Sequence, residues 1–236
     1  YQAALRAVTF ENTSDNPTNS GISTSRGIQV DVTDANSDGL GGQTTQSPLS
    51  GTITVSIDPL NAAPALSAGM SAAYSENGTA VALGSGVTIT DADDINLSGA
   101  TLEIISGYTA GDALALATQN GISGSWNANT RKLTLTGTRS LANYQTAIGA
   151  VTFSSTSNDP TANGSAISRQ ISIQVRDANR DGASTGVALS NSAGATITVT
   201  AAGDAPVLLH GTTTTLSYTE AGAALAISPA LTISDA

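Results

Sequence analysis

The sequence predicts an all-β protein made of antiparallel β-sandwich units, and three observations lead there. Only 3% of the 236 residues are aromatic while 39% are hydrophobic, and 24 are glycine. Such a composition suits short strands joined by tight turns. Apolar residues alternate with polar ones in several short runs. The sequence also repeats itself with a period of about 143 residues, which indicates a tandem array.

The repeat is clearest at the start of the chain. The segment YQAALRAVTF at Tyr1 returns as YQTAIGAVTF at Tyr144, 143 residues later, and AYSENG around Tyr74 returns as SYTEAG around Tyr218. We therefore expect the C-terminal part of one unit in residues 1–64, a complete unit in 65–206 and the N-terminal part of another in 207–236. Repetition adds reach and avidity more often than it adds catalysis.

The strands are predicted from period-two patterns. GIQVDV places Ile28, Val30 and Val32 on one face, and its counterpart SIQV does the same. TITVSI, KLTLT, AVTF and TITV continue the pattern, with Gly, Asn, Asp or Pro between them. About seven to nine strands fit into one unit, enough for two packed sheets. One short helix is expected in SLANYQTAIG, where Ser140 is a suitable N-cap and Tyr144 and Ile148 share a face.

Composition excludes several functions. Cysteine is absent, so neither disulfides nor a cysteine-based zinc site is available. The formal charge is −10 and Lys132 is the sole lysine, which leaves no basic patch for nucleic acid. No apolar run approaches the roughly 20 residues that span a bilayer, so no membrane insertion is expected from these residues. No nucleophile or metalloprotease motif occurs, and we expect no catalytic site.

Two matching loops carry the first acidic pattern. The sequence D-x-N-x-D-G, the first half of a calcium-binding loop, occurs twice, with glycine allowing the sharp turn. Its candidate ligands are Asp34, Asn36 and Asp38 in one copy and Asp177, Asn179 and Asp181 in the other. The same residues are also typical of plain hairpin turns. Both interpretations, calcium loop and simple turn, stay open.

A second acidic pattern follows the apolar strand GVTIT. Asp91, Asp93 and Asp94 lie within four positions, and Asn96 follows them. Carboxylates this close repel each other unless a cation or water offsets the repulsion. The sequence thus predicts either a calcium site or a solvated loop here.

These motifs together resemble those of cadherin-like repeats in large secreted bacterial surface proteins and adhesins. The resemblance rests on ENG at Glu76, DADDIN at Asp91, VRDANRDG around Asp177 and DAP at Pro206. The longer unit, with its GYTAGDALAL segment and short helix, is also similar to chondroitin-sulfate-proteoglycan-type repeats. The resemblance implies a cadherin/Ig-like sandwich with Ca²⁺ between consecutive units. It also implies a secreted, cell-surface location.

The resemblance also implies two sets of metal ligands. Glu76, Asp204 and Asp235 would serve the junction after Pro206. Asp91, Asp93, Asn96 and Asp177 would serve the junction near Pro64, where Ala62 stands in the place of Asp204. Asp58 and Asn61 are the candidate donors in that linker.

The function expected is that of a calcium-stabilised extender repeat in a bacterial adhesin or matrix protein, active in cell adhesion and biofilms. Its expected partners are neighbouring repeats and, beyond them, a surface polysaccharide or another cell-surface protein. One alternative is a carbohydrate-binding module with Trp126 and Tyr108 as its platform. Another is a non-catalytic flank of a secreted polysaccharide-degrading enzyme.

Overall fold

The computed structural model describes residues 1–33, 49–180, 182–183, 186–209, 215–226 and 231–234. Within these ranges the chain is all-β, as predicted, with fifteen strands and two short helices. The strands are β1 (Ser25–Val32), β2 (Leu49–Ser56), β3 (Ala65–Ser67), β4 (Gly69–Ser75), β5 (Val81–Ala82), β6 (Thr88–Thr90), β7 (Asn96–Ser106), β8 (Asp112–Ala115), β9 (Ser123–Asn127), β10 (Lys132–Ser140), β11 (Thr152–Ser155), β12 (Ser168–Asp177), β13 (Ala193–Thr200), β14 (Val207–Leu209) and β15 (Thr232–Ser234). The helices are α1 (Gln2–Arg6) and α2 (Leu141–Gly149).

Six strands form the main sheet, in the order β4-β13-β12-β7-β10-β9. Every neighbouring pair is antiparallel except β13 and β4, which run parallel from Gly69 opposite Gly194 to Ser75 opposite Thr200. A smaller antiparallel sheet has the order β5-β11-β8. The C-terminal ends of β4 and β13 therefore lie at one end of the main sheet, and the C-terminal end of β12 lies at the opposite end.

Both sheets and α2 contribute to one buried core. Tyr74 from β4 meets Phe153 from β11 edge to face, with ring centroids 5.2 Å apart. Side chains that are at most 1% exposed line the rest of this core: Leu97, Leu102, Ile104, Leu114, Leu133, Leu135, Ile148, Val151, Ile171, Ile173, Val175 and Ile197. With few aromatics, the core is filled mainly by aliphatic side chains, which keep strict period-two alternation in β12.

Helix α2 begins as the sequence predicts. Ser140 Oγ accepts a hydrogen bond from the N–H of Asn143 at 3.3 Å and caps the first turn. Tyr144 is fully buried, and its hydroxyl donates to the carbonyl of Gly137 at 2.7 Å. Burial raises the pKa of Tyr144 to about 12. No helix in the described part of the chain is long and apolar enough to cross a membrane.

Strand β12 has a buried charge at each end of its inward-facing row. Arg169 near its start and Asp177 at its end both have 0% exposure. Arg169 forms an ion pair with Asp112 of β8, with Nε to Oδ2 at 2.5 Å. Asp177 lies at the end of the main sheet where β7 begins, opposite Leu97. This placement brings Asp177 to the loop that joins β6 to β7.

Three two-stranded pairs complete the fold: β1-β2, β3-β6 and β14-β15. The strand predicted at GIQVDV is present as β1, and its apolar face is only partly covered. Val32 is 41% exposed and Ile53 of β2 is 58% exposed. The core described above therefore consists of residues 66–199.

Candidate metal centre

The loop between β6 and β7 brings three carboxylates together. Asp91 Oδ1 accepts hydrogen bonds from the N–H groups of Asp93 at 3.2 Å and Asp94 at 3.1 Å, which folds the loop back on itself. One carboxylate oxygen from each of the three residues lies within 4.8 Å of the others. Asp93 and Asp94 are 1% and 2% exposed, so solvent does not screen them. Two of the three carboxylates are therefore shielded from solvent, while Asp91 is half-buried.

Positive charge would stabilise the carboxylates of this cluster. Burial, together with the adjacent Asp93, raises the pKa of Asp91 to about 7. Asp91 Oδ2 and Asp93 Oδ1 are both buried, and neither accepts a hydrogen bond from the described residues. Buried carboxylate oxygens without donors are costly unless a proton or a cation compensates them.

The turn after β12 packs against this loop. The N–H of Arg180 donates to Asp94 Oδ1 at 2.8 Å, across 86 residues of sequence. Asn179 donates its side-chain N–H to the carbonyl of Ala183 at 3.0 Å, and its buried Oδ1 accepts no hydrogen bond from the described residues. Two acidic motifs that are far apart in sequence thus meet at one end of the main sheet.

The carboxylate of Asp177 accepts hydrogen bonds from other residues of the chain. Its Oδ2 accepts from the side-chain N–H of Asn61 at 2.7 Å and from the N–H of Ala188 at 2.8 Å. Its Oδ1 accepts from the N–H of Asn179 at 3.2 Å. Asp177 therefore ties the linker before Pro64 to the end of β12.

Asp93 connects the cluster to the segment before Pro64 at two points. Its Oδ2 accepts from the N–H of Ala62 at 2.8 Å, and its backbone carbonyl accepts from Ser20 Oγ at 2.8 Å. Ser20 is 7% exposed and neighbouring Thr18 is fully buried, so the loop that contains them packs closely. The acidic cluster lies at a junction between residues 1–64 and the main core.

A smaller acidic site lies at the opposite end of the main sheet, where β4 and β13 end together. Glu76 accepts from the N–H of Ala202 at 2.8 Å through Oε2, and its N–H donates to the carbonyl of Thr200 at 2.9 Å. Glu76 Oε1 and Asp204 Oδ2 are buried and accept no hydrogen bond from the described residues. Two acids that follow β4 and β13 thus each keep one buried oxygen without a donor among the described residues.

The remaining candidate ligands fall into two groups. Asn96 begins β7, and its backbone carbonyl accepts from Ala178 at 3.2 Å, whereas Asp58 is exposed. The other candidates lie outside the described residues: Asp34, Asn36, Asp38, Asp181 and Asp235.

The two aromatic residues of the suggested carbohydrate platform are half-buried. Trp126 on the edge strand β9 and Tyr108 both pack against the core. The guanidinium of Arg131 lies over the Tyr108 ring, 4.8 Å from its centroid. Part of each ring is therefore occupied by protein contacts.

Sequence reasoning missed two features. Asp94 was named in the acidic pattern but not among the ligands that the resemblance implies, although one of its carboxylate oxygens lies within 4.8 Å of those of Asp91 and Asp93. The buried pair of Arg169 and Asp112 was also missed. One signal was available for the pair: Arg26 and Arg169 lie 143 residues apart, at matching positions of the repeat.

The donors at both ends of the main sheet are carboxylate, amide and carbonyl oxygens. Such a set suits a hard divalent cation, Ca²⁺ or Mg²⁺, and offers no soft sulfur or imidazole ligand. Asp91, Asp93 and Asp94 are the residues that fit such an ion best. Neither a protein-family model nor a curated protein matches this sequence.

Proposed function

We propose that this chain is a calcium-stabilised structural segment of a secreted or cell-surface protein. Its units are cadherin-like β-sandwiches arranged in tandem, and its role is to extend and stiffen an adhesive or matrix protein rather than to catalyse a reaction. One residue carries the proposal. Asp93 holds the linker through Ala62, accepts from Ser20 of the preceding segment, and keeps a buried oxygen without a donor among the described residues.

Strand pairing supports the tandem arrangement. In the β3-β6 pair Leu66 lies opposite Ile89, and in the β14-β15 pair Leu208 lies opposite Ile233. Ile233 stands in TISDA as Ile89 does in TITDA, and each leucine follows an Ala-Pro linker by two residues. The shared core of the main and smaller sheets supports a two-layer sandwich.

The excess of buried acceptors supports calcium. A divalent ion would supply the positive charge that Asp91 and Asp93 lack, and Ca²⁺ accepts six to eight oxygens in flexible geometry. Mg²⁺ demands near-ideal octahedral geometry, which three acids on one loop do not impose. When the free calcium concentration is about 100 times the Kd of the site, binding of one ion adds about 2.7 kcal/mol to the free energy of unfolding.

The position of the cluster supports a mechanical role. An ion bound by Asp91 and Asp93 would fix the loop that holds Ala62 and Ser20, and with them the junction between residues 1–64 and the main core. Glu76 and Asp204 offer a similar set of oxygens at the opposite end of the main sheet. A unit with a site at each end can be joined in series, and rigid junctions set the reach of such an array.

Thermal unfolding tests this proposal directly. Calcium should raise the melting temperature of the chain above its value in EDTA, and magnesium at the same concentration should raise it less. In Asp91→Asn most of the calcium-induced rise should disappear, whereas Glu103→Gln, which removes one charge on the surface of β7, should keep it. Identical melting curves in calcium and EDTA would overturn the proposal.

A further inference from the structure

One face of β1 and β2 carries exposed apolar side chains around a cavity of about 490 Å³. This open face is formed by residues of α1, the chain that follows it, β1 and β2: Leu5, Val8, Phe10, Ile28, Val30, Val32, Ile53 and Val55. Val8 is 68% exposed and Phe10 is 42% exposed. A continuous apolar surface of this kind on a folded protein marks a site of interaction.

For the residues of this face that lie before β2, the sequence counterparts 143 positions later are at most 1% exposed. Val151 and Phe153 correspond to Val8 and Phe10, and both have 0% exposure. They are covered by the front half of their own unit, residues 65–143. Phe153 pairs with Val81 on one side and Leu114 on the other, and the Tyr74 ring packs on it. The open face lacks such a cover among the described residues.

Arg26 gives a second, independent indication. It lies 143 residues before Arg169 and makes two matching contacts. Arg169 donates to the carbonyls of Ala166 at 2.7 Å and Pro160 at 2.6 Å, and Arg26 donates to those of Ser23 at 2.9 Å and Pro17. The residues of each pair of carbonyl acceptors are also 143 positions apart.

The two arginines differ in the further acceptors of their guanidinium groups. Arg169 donates to both oxygens of Asp112, at 2.5 and 3.2 Å, and to Thr109 Oγ1 at 2.7 Å. Arg26 has no carboxylate partner within the described residues. Both Asp112 and Thr109 belong to the front half, the same part of the unit that covers the core. The open face therefore lacks two things that residues 65–143 supply in the complete unit: an apolar cover and an acid that pairs with the arginine.

We propose that the open face binds a segment of the same kind as residues 65–143, with an Asp at the position of Asp112 that pairs with Arg26. In the complete unit residues 65–143 are joined directly to Tyr144, and the test below joins the added segment to Tyr1 in the same way. A second copy of the chain is a poorer occupant, because its own residues 65–143 already cover its own core. The inference rests on the repeat in the proposed function but not on calcium.

The test extends the full chain by a copy of residues 65–143 fused to the N-terminus at Tyr1. In the extended chain, backbone amides of β1 and β2 should exchange with solvent on the order of tenfold more slowly. Fluorescence of the dye ANS, which reports exposed apolar surface, should fall. A control chain with a scrambled segment of the same composition should show neither change. All measurements are made in EDTA and in calcium, so the test of the open face gives a result even if the calcium proposal is wrong.

A charge exchange tests the role of Arg26. In the extended chain Arg26→Asp should restore fast exchange in β1 and β2. Combining it with Asp112→Arg in the added copy should slow exchange again, which a purely local role of Arg26 would not produce. The proposal is wrong if the added segment protects β1 and β2 no better than the scrambled one. It is also wrong if the unextended chain already buries this face in a concentration-dependent oligomer.

Discussion

The N–H of Ala62 donates a 2.8 Å hydrogen bond to Asp93 Oδ2, while Asp93 Oδ1 is buried and accepts none from the described residues. One carboxylate therefore anchors the linker and also belongs to the cluster that lacks positive charge. This double role separates two effects of substitution: loss of the hydrogen bond and loss of the negative charge.

Asp93→Asn keeps an oxygen that can accept from Ala62 but removes one charge. In EDTA we expect this variant to match or exceed the stability of the unchanged protein, because repulsion with Asp91 is relieved. In calcium we expect it to be less stable, by up to about 2.7 kcal/mol at saturating ion. Denaturant unfolding in both conditions measures the difference, and a variant with the same calcium dependence as the unchanged protein would contradict this.

Asp93→Ala serves as the matched comparison. It removes the charge and also leaves the N–H of Ala62 without its acceptor, at a cost of about 1–3 kcal/mol. It should therefore be less stable than Asp93→Asn in EDTA as well as in calcium. Equal stability of the two variants in EDTA would show that the bond between Ala62 and Asp93 contributes nothing.

The junction should stiffen when calcium binds. Because the chain has no cysteine, spin labels can be attached at Thr54→Cys in β2 and Thr134→Cys in β10, both exposed positions. The distribution of distances between the two labels should be narrow in calcium and broad in EDTA. Asn61→Ala, which removes the bond to Asp177 Oδ2, should broaden it in both conditions. Equal widths in calcium and EDTA for the unchanged junction would rule out stiffening by calcium.

The buried ion pair between Arg169 and Asp112 should matter far more than the surface pair of the main sheet. Asp112→Ala leaves a fully buried guanidinium without its counter-charge, and we expect a loss of about 3–5 kcal/mol. Glu103→Ala breaks the pair with Lys132, whose side chains are 37% and 45% exposed, and should cost no more than about 1 kcal/mol. Chemical denaturation of both variants checks the contrast, and similar losses would contradict it.

The raised pKa of Tyr144 predicts that the folded protein loses stability at high pH. Its pKa is about 12 in the folded protein and 10.0 without the fold, so between these values the folded state binds more protons than the unfolded state. Stability then falls as pH rises above 10, by about 1 kcal/mol at pH 11. Tyr144→Phe should be less stable near pH 8, because the bond to Gly137 is lost, but should show a shallower decline. Parallel declines in the two proteins would contradict this.

Local patterns were sufficient to predict several of the strands and helix α2. The alternation in GIQVDV and KLTLT appears as β1 and β10, and the Ser140 cap begins α2 as expected. These features depend on neighbours within a few residues, where periodicity and capping act directly.

Contacts between distant residues were not predictable in the same way. Asn61 and Asp177 are 116 residues apart, and only the fold shows that they are bonded. If repeat positions alone set the register, β1-β2 would pair like β12-β13, with Ile53 in the place of Ile197. Instead Ile28 lies opposite Ile53, whereas Ile171 lies opposite Ala195, a shift of two residues. Strand β13 is also paired with β4, while β2 has no such second partner among the described strands.

A crystal structure of the full chain grown in calcium would show whether the acidic cluster holds an ion. We predict anomalous density for one ion bound by oxygens of Asp91 and Asp93, with calcium–oxygen distances of about 2.3–2.6 Å. Ala62 should still be bonded to Asp93 in that structure. An ordered cluster that holds only water, or a turn that carries Asp91 and Asp93 into solvent, would contradict calcium binding at this junction.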